Sequence, residues 1–386
     1  MFSIGHNFEQ SLLEKIIGLG VYEFYAKLDS DIIGGGRPSY LLKKINKKKL
    51  KVNVESAHNM GIQFNYLLNS SCMGNNEYEK SGQKQIRQLL NYLTEIKVDR
   101  VTVAIPYLAL FICKHYPNFK IDVSTISSVD NLKKFEHWIN LGADTITLDT
   151  SVNRDFELLK SLANKYPGKI KLIVNQGCDL FCSFRNYHYN TVSHHSQNSF
   201  KGIPISICSF FCRYQRLLNP QNMIAAPWIR PEDLKSYQEL GIDKFKIIQR
   251  HDKTEKIVAT LKAYHSGSHK GNLAEIINFV YSDKYKISHF EIFKILKYFF
   301  RPTKINILKL YKLYSNLPTD DFNLNIDNQK LGCFIDQFKN NQCNRNNSCH
   351  ECGYCKSWGN KVITFNENKK NMVIKNYEKI LESFDF

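Results

Sequence analysis

The first 250 residues alternate between two hydrophobic periods. Short apolar runs, typical of buried strands, are mostly followed by stretches whose apolar residues recur at helical spacing. The apolar runs predict strands over 2–4, 21–25, 61–68, 101–105, 121–124, 145–148, 170–174 and 245–248. The helical periods predict helices over 9–19, 77–96, 107–115, 129–141 and 153–166.

This order of elements predicts the fold class. Strands that alternate with helical crossovers form parallel sheets, and eight such strands over about 250 residues favour an α/β protein with a (β/α)₈ TIM-barrel-like domain. A doubly wound open sheet is the alternative. In a barrel, the loops that follow the strands carry the active site, so residues just after each strand are the candidates for chemistry.

Beyond residue 275 the pattern changes character. We expect the barrel to span 1–275, a basic helical segment with a polar linker to span 276–328, and a small cysteine-rich helical region to span 329–386. A last helix is predicted over 377–384. The chain has no apolar run of about 18 residues and no secretory signal, so we predict a cytoplasmic protein without a membrane span.

Four cysteines follow the seventh predicted strand. Cys178 and Cys182 form one CxxxC pair, Cys208 and Cys212 form a second, and we group them as one set in a loop at the carboxyl end of that strand. Cysteines gathered in this way in a chain without a secretory signal indicate a metal rather than disulfides. All-thiolate sites suit either zinc or an iron–sulfur cluster.

The C-terminal region carries a second cysteine set: Cys343, Cys349, Cys352 and Cys355. The spacing of its last three members resembles the ferredoxin-type run that wraps a 4Fe–4S cluster. Zinc ribbons prefer two separated pairs, so the spacing favours an auxiliary cluster over zinc. Cys333 is an alternative to Cys343 as the fourth ligand.

Arginines, glycines and one histidine complete the predicted site. The glycines at 34–36 let backbone amides approach an anion beside the Arg37 guanidinium, although they also permit a plain turn. Arginines near strand ends suit a dicarboxylate or a phosphate, but each alone is also a salt-bridge partner. Histidine suits proton transfer. The predicted catalytic residues are His188 and Arg185, and the predicted substrate-binding residues are Gly35, Gly36, Arg37, Asn175, Arg230 and Arg250.

The net charge of +17 admits two interpretations. Lysines spread along the whole chain beside many asparagines and isoleucines are typical of an AT-rich genome, whereas a polyanion-binding face gives the same total. The basic block 43–51 is read as a solvated face rather than an RNA contact. The net charge favours RNA as a partner, and a modified peptide is the alternative.

These motifs together resemble the peptidase U32 family. The resemblance rests on Asn175-x-Gly177-Cys178-x₃-Cys182-x₂-Arg185-x₂-His188, on 229–234 and on further pieces from 34–37 to 271–272. It implies a barrel with a 4Fe–4S cluster on the four core cysteines. It also implies hydroxylation of RNA or ubiquinone precursors without molecular oxygen, with prephenate as the small anionic oxygen donor in several members. The family's cysteines are more unevenly spaced than the two pairs here.

The expected function is therefore that of an iron–sulfur, oxygen-independent redox enzyme. Its substrate would be an RNA base, a peptide or a small aromatic molecule. The alternatives are sulfur insertion at a cluster iron left open, or a non-catalytic, metal-stabilised protein that binds RNA, a peptide or a homologous subunit. Walker, HExxH, GxSxG and CxxxCxxC motifs do not occur, and no peptidase activity is expected because no nucleophile is evident.

Overall fold

Eight parallel strands close into a barrel. They are β1 (Phe2–Gly5), β2 (Val21–Ala26), β3 (Gln63–Leu68), β4 (Arg100–Val103), β5 (Lys120–Val123), β6 (Thr145–Thr147), β7 (Ile170–Ile173) and β8 (Lys244–Ile247). Each strand pairs with the next, and β8 pairs with β1, so that Ile4 faces Ile247. The predicted α/β barrel is confirmed, and the ring closure between β1 and β8 excludes the open sheet.

Helices link the strands and cover the barrel. They are α1 (Gln10–Lys15), α2 (Lys47–Asn59), α3 (Lys80–Glu95), α4 (Pro106–His115), α5 (Leu132–Asn140), α6 (Phe156–Lys165), α7 (Arg185–His194), α8 (Ile207–Leu218), α9 (Gln221–Ala225), α10 (Leu234–Gln238) and α11 (Thr254–Ser266). The five predicted helices all occur. The connection from β7 to β8 is the long one, and it carries α7 to α10.

The helix α2 was missed because its sequence is dominated by lysines. Leu50, Val54 and Ala57 recur at helical spacing and are buried, while the lysines project outward. Asn46 caps the helix by accepting a hydrogen bond from the Lys49 amide at 2.8 Å. The basic block at 43–51 is thus in part the solvent face of a barrel helix.

The structure is a computed structural model, and it describes residues 1–200, 206–279, 306–309, 313, 322–340, 343 and 349–382. Most of the predicted helical segment after 276 lies outside these residues. The C-terminal region contains α12 (Asp336–Lys339), α13 (Cys349–Cys352), α14 (Tyr354–Val362), α15 (Glu367–Glu382) and a hairpin of β9 (Asn325–Ile326) with β10 (Ile363–Thr364). α14 packs on α9 and α15 on α8. The last helix begins ten residues before the predicted start at 377.

No helix among the described residues combines the length and the apolar character that a membrane crossing requires.

The barrel interior holds a buried network of charges where TIM barrels usually have branched apolar side chains. Lys171 donates to both oxygens of Glu23, at 2.8 and 3.0 Å, and to Asp122 at 2.7 Å. Arg100 Nε donates to Asp122 at 2.9 Å, and Asn65 donates to both acids. Burial raises the pKa of Asp122, but the charges of Lys171 and Arg100 hold it at about 2. The pairing offsets the cost of burying these ions.

We expect Lys171→Met to lower the free energy of unfolding by about 3–5 kcal/mol, because Glu23 and Asp122 would keep buried charges without their shared cation. Urea denaturation followed by circular dichroism measures the change. Lys165→Met is the matched control, since Lys165 pairs with Glu136 at the surface and exposed pairs contribute little. A Lys171→Met protein as stable as the control would contradict a structural role for the network.

Candidate functional site

A cavity of about 510 Å³ lies at the mouth of the barrel. Its walls include side chains from the carboxyl ends of several strands, such as Leu67, Thr147 and Ile173. Both cysteine pairs predicted for the core line it: Cys178, Cys182, Cys208 and Cys212. The volume lies in the range of sites for small molecules or a single nucleobase.

The two cysteine pairs reach the cavity from different elements. Cys178 and Cys182 lie in the loop after β7, as predicted, whereas Cys208 and Cys212 lie on α8 rather than in a loop. Four residues make about one turn of helix, so the CxxxC spacing places both α8 cysteines on one face. The two pairs lie near each other because α8 folds back over the β7 loop.

Buried amide side chains hold the β7 loop in place. Asn175 is fully buried, accepts a hydrogen bond from the Ile248 amide at 2.8 Å and donates to the Ile276 carbonyl at 3.2 Å. Gln176 donates to Cys178 Sγ at 3.0 Å. Asn175 does not line the cavity. Its side chain instead ties the loop after β7 to the loop after β8.

An ion pair connects α8 to the same loop. Arg216 Nε donates to Asp179 Oδ1 at 2.8 Å, and Arg216 Nη1 donates to the Phe279 carbonyl at 3.1 Å. Asp179 follows Cys178 directly, and Arg216 lies one turn after Cys212. The pair therefore keeps the two halves of the cysteine set together.

Three of the four core thiols have raised pKa values. Burial raises the pKa of Cys212 to about 12, against the opposing effect of Arg216. Burial and neighbouring thiolates also raise the pKa values of Cys182 and Cys208. Cys182, Cys208 and Cys212 are therefore neutral at pH 7 by themselves, and a bound cation would have to displace their protons.

The donor set fits a thiophilic metal group. No three His, Cys, Asp or Glu side chains in the described part of the chain converge on one point as a single metal ion requires. The four core thiols instead line one cavity and act on one another electrostatically. Clustered thiols are the ligands that iron–sulfur clusters and structural zinc use.

Arg154 lies beside the second cysteine set. Its guanidinium carbon lies 4.7 Å from the centroid of the Trp228 ring and 4.9 Å from those of Phe334 and Phe338. It donates to backbone carbonyls, but its buried Nε has no hydrogen-bond partner in the described residues. Burial lowers its pKa, and a Cys355 thiolate is the strongest opposing influence. An anionic group at these cysteines would stabilise this buried cation.

The tail cysteines are neighbours of one another. Burial raises the pKa of Cys355 to about 11, and thiolate charge at Cys343, Cys349 and Cys352 raises it further. Cys333 acts on Tyr354 instead. The choice between Cys343 and Cys333 as the fourth member of this set stays a prediction.

The predicted arginines divide into two groups. Arg37, Arg185 and Arg250 line the cavity, and Arg185 also pairs with Asp149 at 2.5 Å. Arg230 does not line it. Arg230 forms a two-pronged ion pair with Asp233, at 2.8 and 2.7 Å, which is the salt-bridge role that the sequence left open.

Among the glycines, Gly36 lines the cavity and Gly35 does not. The Gly35 amide donates to Ser196 Oγ at 2.7 Å, so it anchors the loop rather than facing the cavity. Sequence reasoning missed Gly5, the last residue of β1. A Cβ atom there would lie 2.3 Å from Arg250 Cβ, so only glycine leaves room for Arg250 at this position.

The helix α7 presents one face to the cavity. Arg185, His188, Tyr189 and Val192 follow helical spacing, and all four line the cavity. Burial and the charge of Arg37 lower the pKa of His188 to about 4. The imidazole is therefore neutral at pH 7 and can accept a proton.

Several cavity residues carried too weak a signal for sequence reasoning to find. They are Tyr25, Gln176, Tyr189, Phe181, Phe184 and Lys246. Lys246 had the clearest local signal, because it lies between two apolar residues of a barrel strand. Successive side chains of a strand lie on opposite faces, so the lysine and its two apolar neighbours face different sides. Which of these side chains meet at one cavity depends on the order of strands around the ring.

The profile of peptidase family U32 matches residues 37–275. The chain belongs to peptidase family U32. The uncharacterized protease MJ1657 of Methanocaldococcus jannaschii is 32% identical to it over 251 residues, which are 64% of this chain and 73% of that protein.

Two further comparisons are more distant. The tRNA hydroxylation protein P of Haemophilus influenzae is 22% identical to the U32 chain over 152 residues, which are 38% of this chain and 32% of that protein. The structure of the U32 peptidase Mk0906 superposes with a TM-score of 0.48 and 21% identity, covering 64% of this chain and 90% of that one.

If the core thiols of the U32 protein hold a metal group, we expect Cys178→Ser and Cys182→Ser each to remove most of it, because each deletes one of the four candidate ligands that line the cavity. Iron, zinc and sulfide analysis after anaerobic purification measures the loss. Cys113→Ser is the matched control, because Cys113 is exposed on α4 and donates to the Leu141 carbonyl at 3.3 Å. Full metal content in Cys178→Ser would show that the core set is wrong.

The neutral state of His188 predicts a pH-dependent stability. The folded-state pKa of about 4 lies below the usual value of 6.5. The unfolded chain therefore binds the proton first, and this part of the stability is lost as the pH falls from about 6.5 to about 4. Because the ring is partly exposed to the cavity, we expect the free energy of unfolding to fall by about 2 kcal/mol, which is less than the full pKa shift would give.

Urea titrations of metal-free wild type and His188→Gln at pH 7 and pH 4 measure this effect. The variant should lose less stability on acidification than wild type. The buried His6 is present in both proteins, so its contribution cancels. The charge of His188 is one cause of the lowered pKa of His195, so the difference between the two proteins includes this coupling. Equal losses in the two proteins would mean that His188 is not neutral in the folded state.

Proposed function

We propose that this U32 protein is an iron–sulfur enzyme that hydroxylates a base of an RNA without molecular oxygen. The observation that carries the proposal is one cavity at the carboxyl ends of the barrel strands, lined by four thiols, by five arginines that include Arg37, Arg185 and Arg250, and by the neutral His188. The name of its distant relative, the tRNA hydroxylation protein P of Haemophilus influenzae, supports RNA hydroxylation as the reaction class.

The core cysteines would hold one 4Fe–4S cluster, and the tail set would hold a second. When bound, such clusters supply electron transfer at potentials that burial and hydrogen bonds adjust. Gln176 donates a hydrogen bond to Cys178 Sγ, and hydrogen bonds to ligand sulfurs are one of the means of adjusting a cluster's potential. The buried Arg154 would be the counter-cation of the tail cluster. The substrate cavity touches only the core set, so the tail set is assigned to electron supply or to stiffening the C-terminal region.

The other cavity residues have separate roles in the proposal. Arg37 and Arg250 orient a small anionic oxygen donor, because guanidinium groups bind carboxylates with two hydrogen bonds. Asp149 fixes Arg185 by an ion pair, so Arg185 is held rigidly at the wall. His188 is neutral and accepts the proton that the nucleobase releases.

Exposed aromatic rings at the rim favour a nucleobase over a small soluble substrate. Phe181 and Phe184 line the cavity, yet 55% and 45% of their surfaces are exposed. Tyr187, on the next turn, is 58% exposed. Exposed apolar rings that cluster at a cavity mark a binding groove, and single-stranded RNA is bound largely by stacking of its bases on aromatic side chains.

The decisive experiment joins metal analysis with RNA chemistry. Anaerobically purified protein should contain about eight irons and eight sulfides per chain, the sum of two 4Fe–4S clusters. RNA from cells lacking the gene should contain a nucleoside that is one oxygen atom lighter than in RNA from normal cells. Wild-type protein should restore that mass and Cys178→Ser should not.

Other results would replace the proposal. A sulfur atom gained in place of oxygen would indicate sulfur insertion. Zinc at about two ions per chain without sulfide would indicate a metal-stabilised binding protein.

The aromatic rim yields a separate prediction about RNA affinity. Phe181→Ala and Phe184→Ala should each weaken RNA binding by about five- to hundredfold, since stacking contributes about 1–3 kcal/mol per base. Fluorescence anisotropy with a labelled single-stranded RNA measures the affinity. Tyr78→Ala is the matched control, because Tyr78 is 70% exposed and lies outside the cavity. Equal losses in all three variants would contradict stacking at the rim.

A further inference from the structure

Lys246 lies at the mouth of the barrel and has no part in the cysteine chemistry. It is the third residue of β8 and lies in register with Ser3 of β1 and Ile173 of β7. Its side chain lines the cavity, although only 8% of the residue is exposed. The amine is therefore within the space that a bound molecule would occupy.

No carboxylate neutralises Lys246 directly. Its Nζ lies 4.2 Å from the centroid of the Tyr25 ring, and within the described residues it forms no ion pair. The nearest acids of the interior network, Glu23 and Asp122, are bound by Lys171 at 2.8 and 2.7 Å. Burial, followed by the charge of Lys171, lowers the pKa of Lys246 to about 8. A fraction of the amine is uncharged near neutral pH and can act as a nucleophile.

Two arginines beside Lys246 are suited to an anion. Arg250 follows β8, and its buried Nη1 has no hydrogen-bond partner in the part of the chain that the structure describes. Burial, opposed by Tyr25 and reinforced by the charge of Arg37, lowers the pKa of Arg250 to about 10. Neither arginine pairs with a carboxylate among the described residues. A ligand carboxylate would satisfy both guanidinium groups.

We propose that Lys246 forms an imine with the carbonyl carbon of a small 2-oxo carboxylate whose carboxylate group is bound by Arg37 and Arg250. The amine and the guanidinium groups line one cavity, and a 2-oxo carboxylate carries the matching carbonyl and carboxylate on adjacent carbons. The inference rests on these side chains and not on RNA hydroxylation.

The step needs no redox partner. The nitrogen lone pair attacks the carbonyl carbon, and a C=N bond replaces the C=O bond. The carbonyl oxygen leaves as water together with both hydrogens of the neutral amine. No electrons are gained or lost. Protonation of the imine then makes the bound carbon skeleton a better electron acceptor, which prepares it for bond cleavage or transfer.

Reductive trapping on the purified chain tests the proposal. Phenylpyruvate is added with sodium cyanoborohydride, and intact mass and peptide mapping locate the adduct. We expect about one adduct per chain, on Lys246, because reduction makes the linkage permanent. Phenyllactate carries a carboxylate and no carbonyl, so it should give none.

Variants separate the specific site from surface lysines. Lys246→Arg keeps the positive charge and should lose the site-specific adduct. Arg250→Met should lower the yield at limiting phenylpyruvate, and the surface variant Lys165→Met should match wild type. Adducts spread over surface lysines, or an unchanged yield in Lys246→Arg, would overturn the proposal.

The wild-type peptide map decides the question even if Lys246→Arg does not fold. The trapping requires neither RNA nor metal. Labelling at Lys246 without RNA hydroxylation would therefore refute only the proposed function, and hydroxylation without labelling would refute only the imine.

Discussion

The buried ion network of the barrel interior is the constraint on which the rest of the structure depends. Lys171 of β7 binds Glu23 of β2 and Asp122 of β5, so one side chain connects strands on different sides of the ring. Charges of this kind are stable in a low-dielectric interior only when their geometry satisfies every partner. The network thereby links three strands of the ring, and the loss of one partner would leave an uncompensated buried charge.

The cavity above that floor is assembled mostly by the long connection between β7 and β8. Asn175 ties the start of this connection to the β8 loop, and the ion pair of Arg216 with Asp179 ties α8 to the cysteine loop. These links hold four thiols near one another although they come from two separate elements. Burial, followed by neighbouring charge, raises the pKa values of Cys182, Cys208 and Cys212, and a bound cation would stabilise their thiolates.

Positive charge dominates the remainder of the cavity. Arg37, Lys246 and Arg250 have no carboxylate partner within the described residues, whereas Arg185 and Arg216, which also line the cavity, are both paired. The distinction separates two uses of arginine. Paired arginines stabilise the scaffold, and unpaired ones are available to a ligand. The same reasoning applies to Arg154, which is surrounded by aromatic rings and whose strongest anionic neighbour is a Cys355 thiolate.

The sequence by itself determined the class of fold, because apolar runs that alternate with helical periods have one stable arrangement, a parallel sheet covered by helices. It also marked the cysteines, since their spacing is a local property of the chain. It placed Arg37, Arg185, His188 and Arg250 near strand ends, and these residues line the cavity.

Only the tertiary structure decided which predicted residues face the cavity. Arg230 and Asn175 have the same local signals as the lining residues, yet Arg230 turns to Asp233 and Asn175 to backbone groups. Lys246 and Gly5 gain their importance from strands that are adjacent only because the barrel closes between β8 and β1. The physical reason is that burial and charge pairing depend on neighbours distant in sequence, which local patterns do not specify.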